Sequence, residues 1–250
     1  NNQVMVSKLP PAKNAQPAHD YLVQPAMASA KFCSPCHDFN FIPAAAPAEA
    51  GEKLRFADQP MQETYVEWLR SGFSGTTCQQ CHLLPGSNQS HRFSGGHDAQ
   101  SLKEAIKLEA ELKPDGRITV RIFSIGIGHA FPTGDMFRTL RVYLSPNGRI
   151  WREIVLGKRF ERNPHMRDPK RDPGQVLVAD TTIPAPAKGE FVSLREETIP
   201  WPEKSCEIQY ELHLDYTHPH SKLFGKLPIS MSGLTFAQGK IPIITKNMVR

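Results

Sequence analysis

The chain has 250 residues, of which 39% are hydrophobic, and its 30 basic and 25 acidic side chains give a formal net charge of +5. That length fits one large or two small domains, and the hydrophobic share is low for a self-sufficient core. No apolar run approaches the length of a membrane span, and the 22 prolines favour many loops and edge strands.

Residues 1–32 are rich in Pro and Ala and are expected to be irregular. Cys33-Ser34-Pro35-Cys36-His37 follows, then a spacer at Pro43-Ala44-Ala45-Ala46-Pro47-Ala48. Met61, Tyr65, Trp68 and Leu69 recur at helical spacing and predict a short amphipathic helix over 61–71. It leads into Cys78-Gln79-Gln80-Cys81-His82. Ser101 and Glu104 resemble a capping box, and Leu102, Ala105 and Ile106 extend a predicted helix over 99–112. After Pro114-Asp115-Gly116 the period falls to two. Ile118, Val120 and Ile122 alternate with polar residues, as do Leu140, Val142 and Leu144, and then Ile208, Tyr210, Leu212 and Leu214. Residues 176–180 and 190–194 read as further strands, and 225–250 alternate weakly around 229–236 and 241–244. Short strands separated by turn signals predict an antiparallel, immunoglobulin-like β-sandwich. The expected class is therefore α+β: a helix-and-coil domain over 1–115, organised by a cofactor, then a β-sandwich over 116–250.

Both Cys/His motifs have the form C-x-x-C-H, the signature of covalent c-type haem attachment. With 5 Cys and 10 His in the chain, one such motif arises by chance only about 0.004 times per chain of this length. A thioredoxin-like redox pair needs a βαβ setting that neither motif has. A four-cysteine zinc site would leave both histidines unexplained. Two c-type haems are thus the expected cofactors, attached through Cys33 and Cys36 and through Cys78 and Cys81. His37 and His82 are the proximal iron ligands. Cys206 remains over and is expected to be at least half-buried in a strand.

The sixth iron position separates a carrier from a catalyst. His91 and His97 lie in His91-Arg92-Phe93-Ser94-Gly95-Gly96-His97-Asp98, where glycine lets the backbone pass close to a flat macrocycle. Asp98 there either orients a ligating imidazole or caps the next helix. His129 lies in Gly126-Ile127-Gly128-His129-Ala130-Phe131-Pro132-Thr133-Gly134, at the end of a predicted strand. These three are the candidate distal ligands. Met136 is a weaker one.

Charge is uneven: residues 1–98 carry 7 basic and 8 acidic side chains, residues 99–250 carry 23 and 17. Lys158, Arg159, Arg162, Arg167, Lys170 and Arg171 form the densest patch. It either steers an acidic redox partner or is a solvated loop. Because c-type haem is attached on the exported side of a bacterial membrane, the chain is expected in the periplasm or at the cell surface, after loss of an export signal. Nucleic acid is not an expected partner; association with copies of itself is.

Taken in order, the motifs resemble those of bacterial multihaem c-type cytochromes related to the cytochrome c554 type. The shared stretch runs from the first haem motif through Gln62-Glu63-Thr64-Tyr65-x-x-Trp68 and the second haem motif. It continues through His91-x-Phe93-x-Gly95-Gly96-His97-Asp98 to Gly128-His129-x-Phe131-Pro132-Thr133-Gly134, about residues 30–145. Leu83 and Ser94 depart from that pattern, where Met and Pro are common. The resemblance implies an exported electron-transfer protein with bis-His haems, with His97 and His129 as distal ligands and His91 as the alternative. A dihaem enzyme, a peroxidase or small-molecule oxidoreductase with one open haem, is the competing expectation.

Overall fold

The computed structural model describes residues 5–7, 21–45, 57–83, 93–201, 206–217 and 232–245. Strand β1 (Met5–Ser7) pairs in parallel with β2 (Tyr21–Val23). Two 3-10 turns, Pro25–Ala28 and Ala30–Phe32, lead into α1 (Ser34–His37). Strand β3 (Asp38–Asn40) pairs antiparallel with β4 (Pro60–Glu63), and α2 (Thr64–Arg70) follows directly. Then come α3 (Cys78–His82) and α4 (Ala99–Ala105).

The remaining elements are strands: β5 (Ile106–Leu112), β6 (Arg117–Ile125), β7 (Thr139–Ser145), β8 (Arg152–Arg162), β9 (Gln175–Asp180), β10 (Val192–Pro200), β11 (Glu207–Asp215) and β12 (Gly233–Thr245). They form one eight-stranded, curled sheet in the order β10-β6-β5-β12-β11-β7-β8-β9.

This overturns the expected fold class. The strands do not divide into two facing antiparallel sheets, and among the described residues no N-terminal helical cytochrome domain is evident; the protein is mostly β. The reason lies in β12. Along its length it pairs antiparallel with β11, and its last residues, 243–245, pair in parallel with 110–112 of β5. One long strand thereby welds the antiparallel set β10-β6-β5 to the antiparallel set β11-β7-β8-β9. The N-terminal helices are four to seven residues long. Helices that short are marginal in water and depend on what they pack against.

Most predicted strands fall within observed ones, because alternation marks a half-buried surface. Three local expectations fail. The helix predicted over 61–71 starts only at Thr64, because Pro60–Glu63 pair with β3 as β4. The predicted helix over 99–112 stops at Ala105, and 106–112 becomes β5, whose Ile106 and Ala110 are buried while it pairs with β6 over its full length. The sheet therefore begins upstream of the division expected at residue 115. Strand β8 was not expected at all, since its many charges hide the alternation of buried Ile154 and Leu156 with exposed Glu153 and Val155.

The core sits on one face of the sheet: Ile118, Val120 and Ile122 of β6, Leu140, Val142 and Leu144 of β7, and Ile208, Leu212 and Leu214 of β11 are all but fully buried. Each such side chain contributes about 1.5–3 kcal/mol. Cys206 precedes β11 and is exposed, contrary to expectation. No described helix is long and apolar enough to cross a membrane.

Candidate cofactor site

Each Cys/His motif folds as a short helix, and helical spacing puts residues i, i+3 and i+4 on one face. Both thiols and the imidazole of each motif therefore project the same way. Helix α1 starts after Cys33, with Pro35 in its first turn, where a missing N–H costs nothing. At the start of α3 the Thr77 backbone N–H donates to Gln80 Oε1 at 2.7 Å. The buried Gln79 donates from Nε2 to Met27 O (2.7 Å) and Ser29 O (3.0 Å), docking α3 on the turns that precede α1.

The two motifs are consequently neighbours, although 45 positions separate Cys33 from Cys78. The Cys78 thiol hydrogen-bonds with Cys33; burial, the Cys33 charge and this bond push it up to about 11. Burial, with Cys78 second, also raises the Cys81 thiol. Among the described residues no three Cys, His, Asp or Glu side chains converge as a metal cage. All four motif cysteines are among those residues, so they do not assemble a tetrahedral zinc site.

The histidines carry more information. His82 donates from Nδ1 to Ser94 O at 2.6 Å, and His129 donates from Nδ1 to Ala130 O at 2.9 Å. A carbonyl only accepts, so each ring keeps its proton on Nδ1 and leaves Nε2 as a free lone pair. The two rings are parallel within 4°, with centroids 6.2 Å apart. That is too far for direct stacking. It matches two imidazoles on opposite sides of one metal: about 2.0 Å per N–metal bond and about 1.1 Å from each nitrogen to its ring centre give about 6.2 Å. The donor set thus fits an axially ligated haem, and the carbonyl partners are the expected orienting groups.

His37 is only partly covered, with the amide of buried Gln62 at 3.1 Å from its Nδ1. Burial, then the charges of His82 and Arg138, lower its pKa. Burial also lowers that of His129, where the charges of His82 and His37 act in the same direction against the Ala130 bond. Both shifts favour the neutral imidazole, the form that ligates.

Local packing explains these positions. Gly95 has φ +149, and a Cβ there would lie 3.3 Å from His82 Nδ1, so glycine lets the chain pass against the ring. A Cβ on Gly128 would come within 2.8 Å of Phe73 Cβ, so the His129 loop closes on the wall built by Phe73 and Trp68. Thr133 donates to Glu67 Oε2 at 2.7 Å and pairs with Thr64 at 2.9 Å, fixing the far end of that loop to α2. Lys158 completes this junction from β8, reaching Glu67 at 2.9 Å and Glu63 at 3.2 Å. It therefore does not belong to the exposed basic patch that the sequence suggests.

No family model matches the chain, and no curated protein matches it. Among solved structures, it is similar to a penta-haem cytochrome c552 from Thermochromatium tepidum. The TM-score is 0.62 at 21% sequence identity. The match covers 91% of this chain and 60% of that protein, so this chain spans well under two thirds of its neighbour's length. At that identity the likeness is one of fold: the chain folds like this multihaem cytochrome.

The remaining candidates fall elsewhere. His91 lies outside the described residues. His97 is exposed; its Nε2 accepts from Arg138 Nη2 at 3.1 Å, and its ring lies 4.2 Å from that of Tyr216. Asp98 caps α4, accepting from Gln100 N at 3.1 Å and Ser101 Oγ at 2.6 Å. Arg138 lies beside these residues and carries no signal in the sequence, whereas Gln62 opens the resemblance motif and Ser94 stands out only as a departure from it.

Proposed function

We propose that the chain is an exported dihaem c-type cytochrome that passes electrons between redox partners. The observation that carries this reading is the parallel His82–His129 pair beside a second, adjacent C-x-x-C-H motif. When bound, each haem supplies one-electron chemistry that no side chain provides. Cys33 and Cys36 hold one group and Cys78 and Cys81 the other. His37 and His82 are the proximal ligands, and His129 stands opposite His82. His97, with His91 as the alternative, would be the second ligand of the haem that His37 holds. In this reading the haem-bearing part is 1–115, and 116–250 contributes His129 from the loop after β6.

A second reading has one specific observation behind it. His97 Nε2 is engaged by Arg138. If it stays so, one haem keeps an open sixth position with Arg138 and Tyr216 at hand, as an enzyme would require. One experiment addresses both. Protein produced with haem attachment is expected to carry two covalent haems by intact mass and to lack CO binding when reduced. Substituting Cys33 and Cys36 by alanine should remove one haem. A mass without covalent haem would sink the proposal; one CO per chain in the wild type would favour the enzyme.

The partner surface of this reading is the β8–β9 connection. Arg162, Arg167, Lys170 and Arg171 are exposed on it. Its acidic residues accept mainly from the backbone: Asp172 Oδ2 from Arg167 N (2.7 Å) and Asp168 N (2.9 Å), and Asp168 Oδ1 from Lys170 N (2.9 Å), while Asp168 Oδ2 also lies 3.6 Å from Arg171 Nε. Ala44 N donates to Asp172 O at 2.9 Å and Ala45 N to Pro169 O at 2.6 Å, so the loop is fastened to the segment leaving the first motif. Such a loop would steer an acidic redox protein toward that motif. Reversing Arg167, Lys170 and Arg171 to Glu should slow electron exchange with an acidic partner about tenfold at low salt, with the difference shrinking as salt rises. Equal rates in stopped-flow mixing would remove the loop from the docking surface.

A further inference from the structure

Arg138 is a half-buried cation with no anion paired to it among the described residues. Its Nη2 lies 3.1 Å from His97 Nε2, and its Cζ lies 4.7 Å from the centre of the Tyr216 ring. A Cβ on Gly96 would approach Nη1 to 2.9 Å, so the guanidinium rests directly against that glycine. Tyr216 closes the other side, its hydroxyl donating to Gly96 O. Among the described residues no carboxylate forms an ion pair with it. The nearby Asp135 instead accepts from Phe137 N at 3.2 Å.

The contrast with other covered cations is sharp. Arg121 holds Glu111 and Glu196, Arg141 holds Asp215 and Glu153, and Lys158 holds Glu63 and Glu67. Withdrawing a guanidinium from water is costly unless an opposite charge meets it, and a guanidinium fork suits a carboxylate best. Its contact with His97 Nε2 sets Arg138 directly beside a candidate ligand histidine.

We infer that Arg138 is the counter-ion of a haem carboxylate, one of the two propionates that each haem carries. This rests on the proposed haem binding. Arg138 then contributes a binding contact and a potential-setting charge. Reduction adds an electron to the haem, and a fixed positive charge close by favours the reduced form.

The test uses holo-protein with both haems attached, titrated electrochemically and followed in the visible spectrum. R138Q should lower the midpoint of one haem and leave the other in place, with low-spin spectra and CO binding unchanged from wild type. R138K, which keeps the charge, should recover most of the shift. Added acetate should not move the wild-type midpoint, because the carboxylate is already part of the cofactor. Unchanged midpoints in R138Q would overturn the inference. So would a new CO-binding haem with no other change, since Arg138 would then act only by holding His97. An acetate-dependent midpoint would assign Arg138 to a free anion instead. Absence of covalent haem in wild-type protein would overturn the function reading first, and a mass measurement separates that failure from the others.

Discussion

Replacing His129 by alanine is expected to leave both haem attachments intact and to open one iron. The reduced variant should bind about one CO per chain where the wild type binds none, and half of the low-spin signal should become high-spin. The expectation follows from the ring geometry. His129 faces His82 in a parallel arrangement at 6.2 Å, and its Nδ1 proton is tied to Ala130 O, so only Nε2 is free to ligate. Burial lowers its pKa, which favours the neutral ring. His97 provides the control. If it stands opposite His37, H97A opens the other iron and gives the same CO stoichiometry. If Arg138 retains it, H97A leaves CO binding unchanged. An H129A protein that stays fully low-spin removes His129 from the ligand set.

Much of this candidate site is legible in the sequence because the proposed covalent attachment would fix its spacing. Two thiols and an imidazole must share a helical face, and C-x-x-C-H is the shortest way to achieve it. His129 was visible for a similar reason: a glycine on either side of Ile127 allows a close approach that other residues forbid. The individual strands were legible because β6, β7 and β11 alternate cleanly. Their assembly was not. The sheet order depends on β12 pairing with β11 on one edge and with 110–112 on the other, a long-range choice that leaves no local mark. Residues 106–112 satisfy helical and strand patterns alike, and pairing with β6 decides between them. Lys158 was misread for the opposite reason. In sequence it stands beside Arg159 and looks like part of a basic surface, whereas its partners Glu63 and Glu67 are remote along the chain.

That junction gives the second large expected effect. Lys158 is 14% exposed, Glu67 14% and Glu63 31%, so the triad is largely out of water. Burial alone would lower the lysine pKa; the charges and hydrogen bonds of Glu67 and Glu63 outweigh it, and the net shift is upward. Substituting methionine keeps the aliphatic stem and deletes the charge, leaving two carboxylates side by side with no cation. K158M should therefore lose about 3 kcal/mol in urea unfolding of the holo-protein. A triple variant, K158M/E63Q/E67Q, should recover most of it, because the cost lies in the uncompensated charges and not in lost packing. The pH dependence has a definite sign. A lysine whose folded pKa is raised adds stability that is complete below its unfolded value, about 10.4, and disappears as pH rises through the folded value. The gap between wild type and K158M should hence persist from neutral pH to about pH 10 and narrow above it. A loss under about 1 kcal/mol would mark the triad as an ordinary surface network. In that case the anchoring of the His129 loop would fall to the Thr64–Thr133–Glu67 hydrogen bonds and to the two backbone bonds between Phe131 and Ile183.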